Sequence, residues 1–271
     1  MSSAGRGRGL SIRRTDFLAL SNLRSDGRKP HEIRKIHIQM GIVPGNLGSA
    51  VVQMGLSSCL AIVNGPMECM RRTDELSDRA ILDVSLQISP QASSDRRVFY
   101  PNTDRRLIEA ATQIQHTLEA ALLLQTYPRL RITINISVLC DDGGRLCTAI
   151  NAASMALIDA GIPMKDICCA CSAGGTMNSS TDSTTVLIDL NRTEESTNQN
   201  GTSSVYMPVA ILPQRGTIVL AQCSESRLPD LTSMELVLEA AMEGCRTIYE
   251  YMQIAVQERA ASLLNKYSSN Q

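Results

Sequence analysis

The sequence predicts an α+β fold in which mixed β-sheets pack against helices. Three observations lead to this prediction: short segments carry apolar residues at every second position, longer segments carry them at helical spacing, and no polar linker divides the 271 residues. A hydrophobic content of 43% is enough for a substantial core. The order of segments is strands, helix, strand, helix, strands, helix, which differs from a regular alternation of parallel strands and helices.

The first strands are predicted between residues 32 and 88. Ile36, Ile38 and Met40 alternate with polar neighbours, and the run SCLAIVNGP stops at a Gly-Pro pair. Both segments are typical of strands in an antiparallel meander. In ILDVSLQIS the apolar residues again occupy every second position, which predicts a half-buried strand.

Two helices follow, with a strand between them. Apolar residues repeat at helical spacing over residues 104–125, and Pro128 follows the end of this helix. Alternation resumes in RITINISV, and a second helix is predicted from about Leu146 to Ala160, ahead of Gly161. The motif CDDGGR therefore lies where a strand is followed by a helix.

The C-terminal part is again rich in strands and ends in a helix. DICCACSAG, TTVLIDLN, VYMPVAILP and TIVLAQC have strand-like composition, whereas residues 192–204 are polar and predict an exposed loop. The last helix opens with a capping-box pattern at Thr232 and Glu235. Its methionines repeat at helical spacing, which favours a place in the core over a binding surface.

Composition narrows the classes of function. Lys and Arg number 26 against 27 Asp and Glu, so a site for a polyanion must come from local clustering. The nine cysteines are odd in number and mostly lie in apolar segments, which is typical of buried thiols in a reducing compartment. The cluster CCAC lacks the spacing and the histidines of a zinc site, so no metal is predicted. No apolar run reaches the ~18 residues of a transmembrane helix, and no membrane partner is predicted.

Two arginine pairs flank the start of the first helix. Arg96 and Arg97 lie in SSDRRVFYP, and Arg105 and Arg106 lie in NTDRRL. Clustered guanidinium groups bind phosphate oxygens, and the nearby helix N-terminus adds a partial positive charge. The alternative is a set of solvated charges paired with neighbouring aspartates. The pattern alone leaves both interpretations open.

Two further features carry potential chemistry. Asp182 and Asp189 flank a predicted strand; paired carboxylates bind a divalent ion or protonate a leaving oxygen, although aspartates at strand ends are often turn formers. Gly143 and Gly144 allow backbone N–H groups to approach an anion at the start of a helix. DDGG is also a common tight-turn composition, and its aspartates repel phosphate. The residues themselves do not decide between an anion site and a simple turn.

Several segments together resemble a known family: RSDGRKPHEIRKIHIQMG, AIVNGPMEC, LSDRAILDVSLQISP, NTDRRLIEAA, YPRLRITINISVLCDDGG, INAASMALIDAGIPMKDICCACSAG and VLIDLN. They are similar to the RNase PH-like subunits of the eukaryotic RNA exosome ring, from about residue 24 to residue 255. The resemblance implies a fold like ribosomal protein S5 domain 2 and assembly into a six-membered ring. In active relatives inorganic phosphate attacks the RNA 3′-terminal linkage and a nucleoside diphosphate is released.

The same resemblance implies roles for individual residues. It assigns RNA binding to the two arginine pairs, Arg96, Arg97, Arg105 and Arg106. It assigns phosphate binding to a turn that falls on Gly144, Arg145 and Leu146. The glycine is kept, but arginine stands in place of serine and leucine in place of arginine. The phosphate site is therefore expected to be degenerate.

The resemblance also assigns acid catalysis to Asp189 and, more weakly, to Asp182. Active relatives have two acids six residues apart, which places both on one face of a strand. Here the two aspartates are seven apart, so in a regular strand they face opposite sides unless a bulge intervenes. Both are therefore expected to be degenerate catalytic positions.

The expected function is that of a noncatalytic exosome ring subunit, which lines the RNA channel and scaffolds hydrolytic nucleases in 3′-to-5′ RNA processing and decay. The implied partners are other RNase PH-like subunits, RNA-binding cap subunits, hydrolytic ribonucleases and RNA, in the nucleus, nucleolus and cytoplasm. No cofactor is expected. The alternative is an active phosphate-dependent 3′-to-5′ exoribonuclease, with inorganic phosphate as co-substrate and Mg²⁺ as a candidate cofactor.

The chain is expected to contain one RNase PH-like domain over residues 24–264. Residues 1–23 are rich in Gly and Arg and predict a flexible tail, with weak nonspecific RNA contact as the sharper alternative. Residues 265–271 are expected to form a C-terminal tail.

Overall fold

The computed structural model describes residues 23–24, 26–69, 75–92, 103–177, 184–199, 204–223 and 231–269. Within these residues two β-sheets pack with helices, which confirms the predicted α+β fold with mixed sheets. The strands are β1 Ile36–Met40, β2 Gly48–Met54, β3 Ser57–Glu68, β4 Ile81–Ile88, β5 Leu130–Cys140, β6 Cys169–Met177, β7 Thr184–Ile188, β8 Ser204–Leu212 and β9 Thr217–Ala221. The helices are α1 Arg105–Ala121, α2 Arg145–Asp159, α3 Arg192–Gln199 and α4 Leu231–Ser269.

The first sheet has five strands in the order β1-β2-β3-β5-β4. β1, β2 and β3 form the predicted antiparallel meander, and β5 pairs antiparallel with β3. β4 pairs parallel with β5, because α1 crosses over between the two strands. The second sheet has four strands in the order β7-β6-β8-β9, all paired antiparallel.

Helix α2 lies between the two sheets and is the centre of the molecule. Every residue from Cys147 to Leu157 is buried, because the helix packs against β2 and β3 on one side and β6 on the other. The approach to β2 is close: a Cβ at Gly48 would lie 2.3 Å from the carbonyl oxygen of Ala156. The buried Asn151 amide bonds both backbone groups of Ala170 on β6, which fixes the helix relative to the second sheet.

Helix α4 packs mainly on the second sheet. A Cβ at Gly244 would lie 2.8 Å from Cys171 Sγ, so the helix approaches β6 more closely than a larger residue allows. Near its C-terminal end Arg259 donates from Nε to Asp159 at the end of α2 (2.9 Å). The helix continues to Ser269, so residues 265–269 of the predicted C-terminal tail are helical.

The segment 192–204 differs from its prediction. We expected an exposed loop, but residues 192–199 form α3. Asn191 precedes the helix, and its amide donates to Glu194 Oε2 (2.9 Å), as in a capping box. Glu194 also forms an ion pair with the buried Arg24. These contacts explain why a polar sequence is helical here.

The remaining general features concern the cysteines and the membrane. All nine cysteines are free thiols, and six of them are buried. Among the described residues, no group of three or more His, Cys, Asp or Glu side chains is placed to hold a metal ion. None of the described helices is both long and apolar enough to cross a membrane.

Candidate functional site

The turn Asp141–Gly144 connects β5 to α2, which confirms the predicted position of CDDGGR between a strand and a helix. Gly143 and Gly144 have φ angles of 89° and 66°, in the left-handed region that favours glycine. A Cβ at Gly143 would lie 2.6 Å from the backbone nitrogen of Arg192, where α3 begins. The glycine at 143 is therefore required by backbone packing, independently of any ligand.

Ser57 and Arg34 donate hydrogen bonds to the carbonyl groups of this turn. The Ser57 hydroxyl donates to the carbonyl of Gly143 (2.7 Å) and accepts from the amide of Asp142 (2.9 Å). Arg34 donates from its guanidinium to the carbonyls of Asp142 (2.9 Å) and Gly143 (3.2 Å). This network fixes the conformation of the turn.

Asp189 belongs to the same network. Its carboxylate is buried and accepts from Arg34 three times: from Nε (2.8 Å), from Nη2 (2.7 Å) and from the backbone amide (2.9 Å). Burial lowers the pKa of the Arg34 guanidinium, but the hydrogen bonds and charge of Asp189 outweigh it, so the pKa is raised overall. The Asp189 carboxylate thus fixes the Arg34 guanidinium, which in turn bonds the carbonyl groups of the turn.

A cleft of about 460 Å³ opens beside the Gly144 amide. It lies where the starts of α1, α2 and α3 meet the second sheet. Its described lining residues are Leu86, Arg106, Ala110, Gln113, Asp141, Arg145, Leu146, Arg192, Glu195, Tyr206, Pro208 and Gln222. Three arginines and two carboxylates among them leave a formal charge of +1 when both acids are ionised. The cleft therefore favours an anionic ligand.

The amide of Gly144, which precedes the lining residue Arg145, already donates a hydrogen bond to another lining residue. It donates to Glu195 Oε1 at 2.7 Å, so a carboxylate of the chain itself lies at the N-terminus of α2. Burial raises the pKa of Glu195, while the bonds from the Gly144 amide and the Tyr206 hydroxyl partly offset this rise. The pKa of Tyr206 is raised in turn by burial and by the negative charge of Glu195.

Arg145 lines the cleft and is partly exposed to solvent. Its side chain is 38% exposed, and Nη1 lies 3.3 Å from Asp141 Oδ2 one helical turn earlier. A partly exposed pair of this kind is weak, because water screens both charges. Its guanidinium therefore remains available to a phosphate group in the cleft.

The structure brings together only some of the residues predicted from the sequence. Arg106 and Arg145 line the cleft, and Gly144 presents its amide beside it. Arg105 is not a lining residue: its side chain is 91% exposed and pairs with Glu109. Asp189 also lies outside the cleft lining, where its carboxylate bonds Arg34. Arg96, Arg97 and Asp182 lie outside the described residues.

Three residues of the cleft were missed by the sequence analysis: Arg192, Glu195 and Tyr206. The first two lie on α3, which was predicted as a loop. The pattern Asn191-x-x-Glu194 is a helix-start signal and could have placed them. Tyr206 lies in the predicted strand VYMPVAILP, but nothing in that pattern indicates a partner for its hydroxyl group.

Comparison with known proteins agrees with this architecture. Residues 32–163 match the 3′ exoribonuclease family, domain 1. The human exosome complex component RRP41 is 36% identical over 92% of this chain and 97% of its own length. The exosome complex component ski6 of Schizosaccharomyces pombe is 34% identical over 93% of this chain and 98% of its own length. The exosome complex component Rrp41 of Thermococcus kodakarensis is also 34% identical, over 92% of this chain and 94% of its own length.

Two solved structures share the fold. Rice Rrp46 superimposes with a TM-score of 0.70 at 21% identity, covering 86% of this chain and all of the rice chain. A chain of the Archaeoglobus fulgidus exosome with RNA bound to the active site superimposes with a TM-score of 0.67 at 23% identity, covering 86% and 94%. The chain belongs to the RNase PH-like 3′ exoribonuclease family, which confirms the resemblance seen in the sequence.

Proposed function

We propose that this protein is a ring subunit of an RNA exosome that supports 3′-to-5′ RNA processing and decay without catalysing phosphorolysis itself. The similar human, fission yeast and archaeal proteins are all named as exosome components, and the alignment with this chain covers almost the whole length of each. The match is not restricted to one motif, so it supports a subunit of the same kind rather than a shared fragment.

The loss of catalysis is supported by the contact between Gly144 and Glu195. Phosphorolysis needs a free phosphate at the turn, and the Gly144 amide is the donor that the turn offers to it. In this protein the amide donates to Glu195 at 2.7 Å instead. The neighbouring side chains are also changed, because Arg145 and Leu146 stand where active relatives have serine and arginine. The turn therefore keeps its backbone but lacks the open phosphate site.

A role in holding RNA is supported by the remaining charges of the cleft. Arg106 from α1 and Arg145 from α2 face the same space, together with Arg192 from α3. Guanidinium groups bind phosphodiester oxygens strongly and without regard to sequence. A subunit that guides RNA through a ring needs contacts of this kind and no reaction at the RNA 3′ end.

The proposal includes the partners and locations expected from the family. The other positions of a six-membered ring would be RNase PH-like subunits, with RNA-binding cap subunits above and hydrolytic ribonucleases attached. Such complexes would lie in the nucleus, nucleolus and cytoplasm. Mass spectrometry of complexes purified through a tagged copy, and microscopy of the same tagged protein, test these points directly.

The decisive experiment is a phosphorolysis assay on the reconstituted ring without hydrolytic partners. We expect no release of nucleoside diphosphates from RNA in the presence of inorganic phosphate and Mg²⁺, and recovery of RNA decay when a hydrolytic nuclease is added. Phosphate-dependent release that disappears in Arg145→Ala would contradict the proposal and establish the alternative, an active phosphorolytic exoribonuclease.

RNA retention is tested by reversing the charge of one arginine of the cleft. Arg106→Glu is expected to weaken RNA binding by the assembled ring several-fold at low salt, because Arg106 faces the cleft. Arg246→Glu makes the same charge change on an exposed residue of α4, outside the cleft lining and outside the two arginine pairs, so it is the matched control. Fluorescence anisotropy with labelled RNA measures both; equal losses would contradict a role for the cleft.

A further inference from the structure

The buried side chain of Arg24 joins the N-terminal part of the chain to the start of α3. Its Nε donates to Glu194 Oε1 (3.0 Å) and its Nη2 donates to the other carboxylate oxygen, so the contact is bidentate. The exposed fractions of the two side chains are 2% for Arg24 and 15% for Glu194. Water therefore screens this ion pair much less than the exposed pair of Arg105 with Glu109.

Arg24 also bonds the corner between β7 and α3. Its Nη1 donates to the carbonyl of Ile188, and its Nη2 donates to the carbonyl of Asp189 (2.9 Å). Asp189 has a φ angle of 55°, in the left-handed region that residues other than glycine rarely adopt. The Arg24 guanidinium thus stabilises a change of chain direction that is strained without support.

The segment that carries Arg24 is itself anchored to this corner. We define the N-terminal strap as residues 24 and 26–30. The carbonyl of Pro30 accepts from the amide of Ile188 (3.0 Å), at the end of β7. Two further side chains of the strap bond the side chain of Asn191, which precedes α3: those of Asp26 and Arg28. The strap therefore contacts the end of β7, the corner and the beginning of the helix.

The strap and the cleft lie on opposite sides of α3. Arg192 lines the cleft, and Glu194 follows two residues later, so their side chains leave the helix about 200° apart. On the cleft side, α3 is bonded to the turn after β5 by the Arg192 amide, 3.1 Å from the carbonyl of Asp142, and by Glu195. On the other side, the helix is held by the bond from Arg24 to Glu194.

The orientation of α3 determines whether Arg192 faces the cleft. Arg106 and Arg145 lie on α1 and α2, which bury apolar residues in the core. Helix α3 has no apolar stripe, so polar contacts fix its orientation. Loss of the contact with Arg24 would therefore displace Arg192 without displacing the other two arginines.

We infer that Arg24 is a positioning residue for RNA: through Glu194 it fixes the orientation of α3 and thereby keeps Arg192 in the cleft. The inference rests on the proposed function, because it takes the cleft as the place where RNA is held. It goes further by giving a role in RNA retention to a buried arginine that is not among the described lining residues.

The test compares the RNA affinity of single and double variants in the assembled ring, by fluorescence anisotropy with labelled RNA at low salt. Arg24→Ala should weaken RNA binding about threefold or more, a loss in the range that coupled residues show. The same substitution should cause no further loss in an Arg192→Ala ring, because the side chain that Arg24 positions is then absent. In an Arg106→Ala ring it should still cause its full loss, because α1 does not depend on the strap.

Two further measurements separate positioning from a general loss of stability. Hydrogen exchange of the α3 amides should become faster in Arg24→Ala. Arg259→Ala is the matched control, because it breaks another partly buried ion pair, with Asp159 at the opposite end of α2 from the cleft. This control should lower the free energy of unfolding and leave both the RNA affinity and the exchange of α3 unchanged.

Arg24→Lys keeps the test decisive if Arg24→Ala does not fold or does not enter the ring. Lysine keeps the charge but lacks the planar set of donors that bonds two carboxylate oxygens and two carbonyl groups at once. A smaller loss of RNA affinity with the same dependence on Arg192 is then expected. RNA affinity equal to that of the unmodified ring would overturn the inference, as would a loss of the same size with and without the Arg192 side chain.

The proposed function and the positioning role fail in different measurements. Phosphorolysis by the unmodified ring contradicts the proposed function, whatever the Arg24 variants bind. If Arg106→Ala and Arg192→Ala weaken RNA binding while the Arg24 variants do not, the cleft holds RNA and the positioning role alone is wrong.

Discussion

The Glu195 carboxylate accepts a hydrogen bond from the amide that precedes α2, although burial disfavours its ionised form. The first amides of a helix have no partner within the helix, and an anion there is stabilised by the helix dipole. Glu195 meets this need for Gly144. Its charge is nevertheless disfavoured by burial, which is the largest influence on its pKa and raises it.

This raised pKa predicts a dependence of stability on pH. Between the unfolded pKa of a glutamate, about 4.3, and the raised pKa of folded Glu195, the folded chain binds more protons than the unfolded chain. Its free energy of unfolding therefore falls as the pH rises through this window, and the loss is complete above the folded pKa. Glu195→Gln removes this contribution.

The measurement is urea unfolding of both proteins at about pH 4.5, close to the unfolded pKa of glutamate, and at about pH 7.5. We expect the stability of Glu195→Gln relative to the unmodified chain to increase with pH. Asp141, Arg145 and Tyr206 influence the pKa of Glu195, and Arg34 and Cys147 interact with its charge; all five are left unchanged. A difference that stays constant between the two pH values would show that the ionisation of Glu195 does not affect folding.

Substitution of Asp189 is expected to lower the free energy of unfolding rather than to change the chemistry of the cleft. Asp189→Ala leaves the buried Arg34 guanidinium without its carboxylate, and breaking such a pair costs about 3–5 kcal/mol. Arg105→Ala breaks an exposed pair with Glu109 and is the control, with a much smaller loss expected. Chemical denaturation measures both; equal losses would contradict the structural role of Asp189.

The same residue shows what sequence reasoning can and cannot provide about the site. The family motif draws attention to Asp189, but the donor of the hydrogen bonds to its carboxylate cannot be found from spacing, because Arg34 lies 155 residues earlier. Gly143 and Gly144 became candidates because a strand, two glycines and a helix are visible as a local pattern, and Arg145 was added by the resemblance to the family. Glu195 was missed, since its contact with Gly144 joins two elements that are adjacent only in the fold.

At the scale of elements, the packing of α4 on β6 gives a sharp prediction. Gly244→Ala places a Cβ 2.8 Å from Cys171 Sγ and 2.9 Å from Ile188 Cγ2. Overpacking costs about 1–3 kcal/mol, which exceeds the gain of up to about 1 kcal/mol from alanine in a helix. We expect a net loss in the free energy of unfolding.

The neighbouring Glu243 is exposed and provides the comparison. Glu243→Ala changes an adjacent position of the same helix without adding an atom to the interface. Thermal unfolding should show a lower midpoint for Gly244→Ala than for Glu243→Ala. Equal midpoints would mean that the helix moves away from the sheet without cost.

β4, β5 and α1 were predicted from the sequence because each buries one face, and such burial leaves a period of two or of 3.6 residues. Helix α2, which is buried on all sides, was predicted from the glycine that follows it. Helix α3 was not predicted, since RTEESTNQ has no apolar stripe. Its helical state comes from polar contacts made in the folded chain, by Glu194 with Arg24 and by Glu195 with Gly144. Such contacts leave no periodic signal.

At the scale of the whole molecule, the cysteines report on the integrity of the core. Cys59, Cys147, Cys168, Cys169, Cys171 and Cys245 are buried, and burial raises the pKa of Cys59 and Cys168 to about 12. A thiol reacts through its thiolate, so these six should be inert in the folded chain. The core is shared by both sheets and α2, so they should become reactive together.

Titration with a thiol-specific chromogenic reagent tests this. We expect at most three thiols, those of Cys69, Cys140 and Cys223, to react in the native chain and all nine after denaturation. Reaction of the buried thiols in separate phases during unfolding would contradict a single cooperative core.

The backbone packing of Gly143 has a consequence for the comparison of related sequences. Its Cβ would meet the start of α3, and its carbonyl is bonded by Ser57 and Arg34, so the residue is constrained whether or not the subunit has a reaction to perform. A glycine pair at this junction is thus a marker of architecture and a poor diagnostic of enzymatic competence. Family members are better classified by the side chains aligned with Arg145, Leu146 and Glu195, where a change of chemistry is possible without a change of shape.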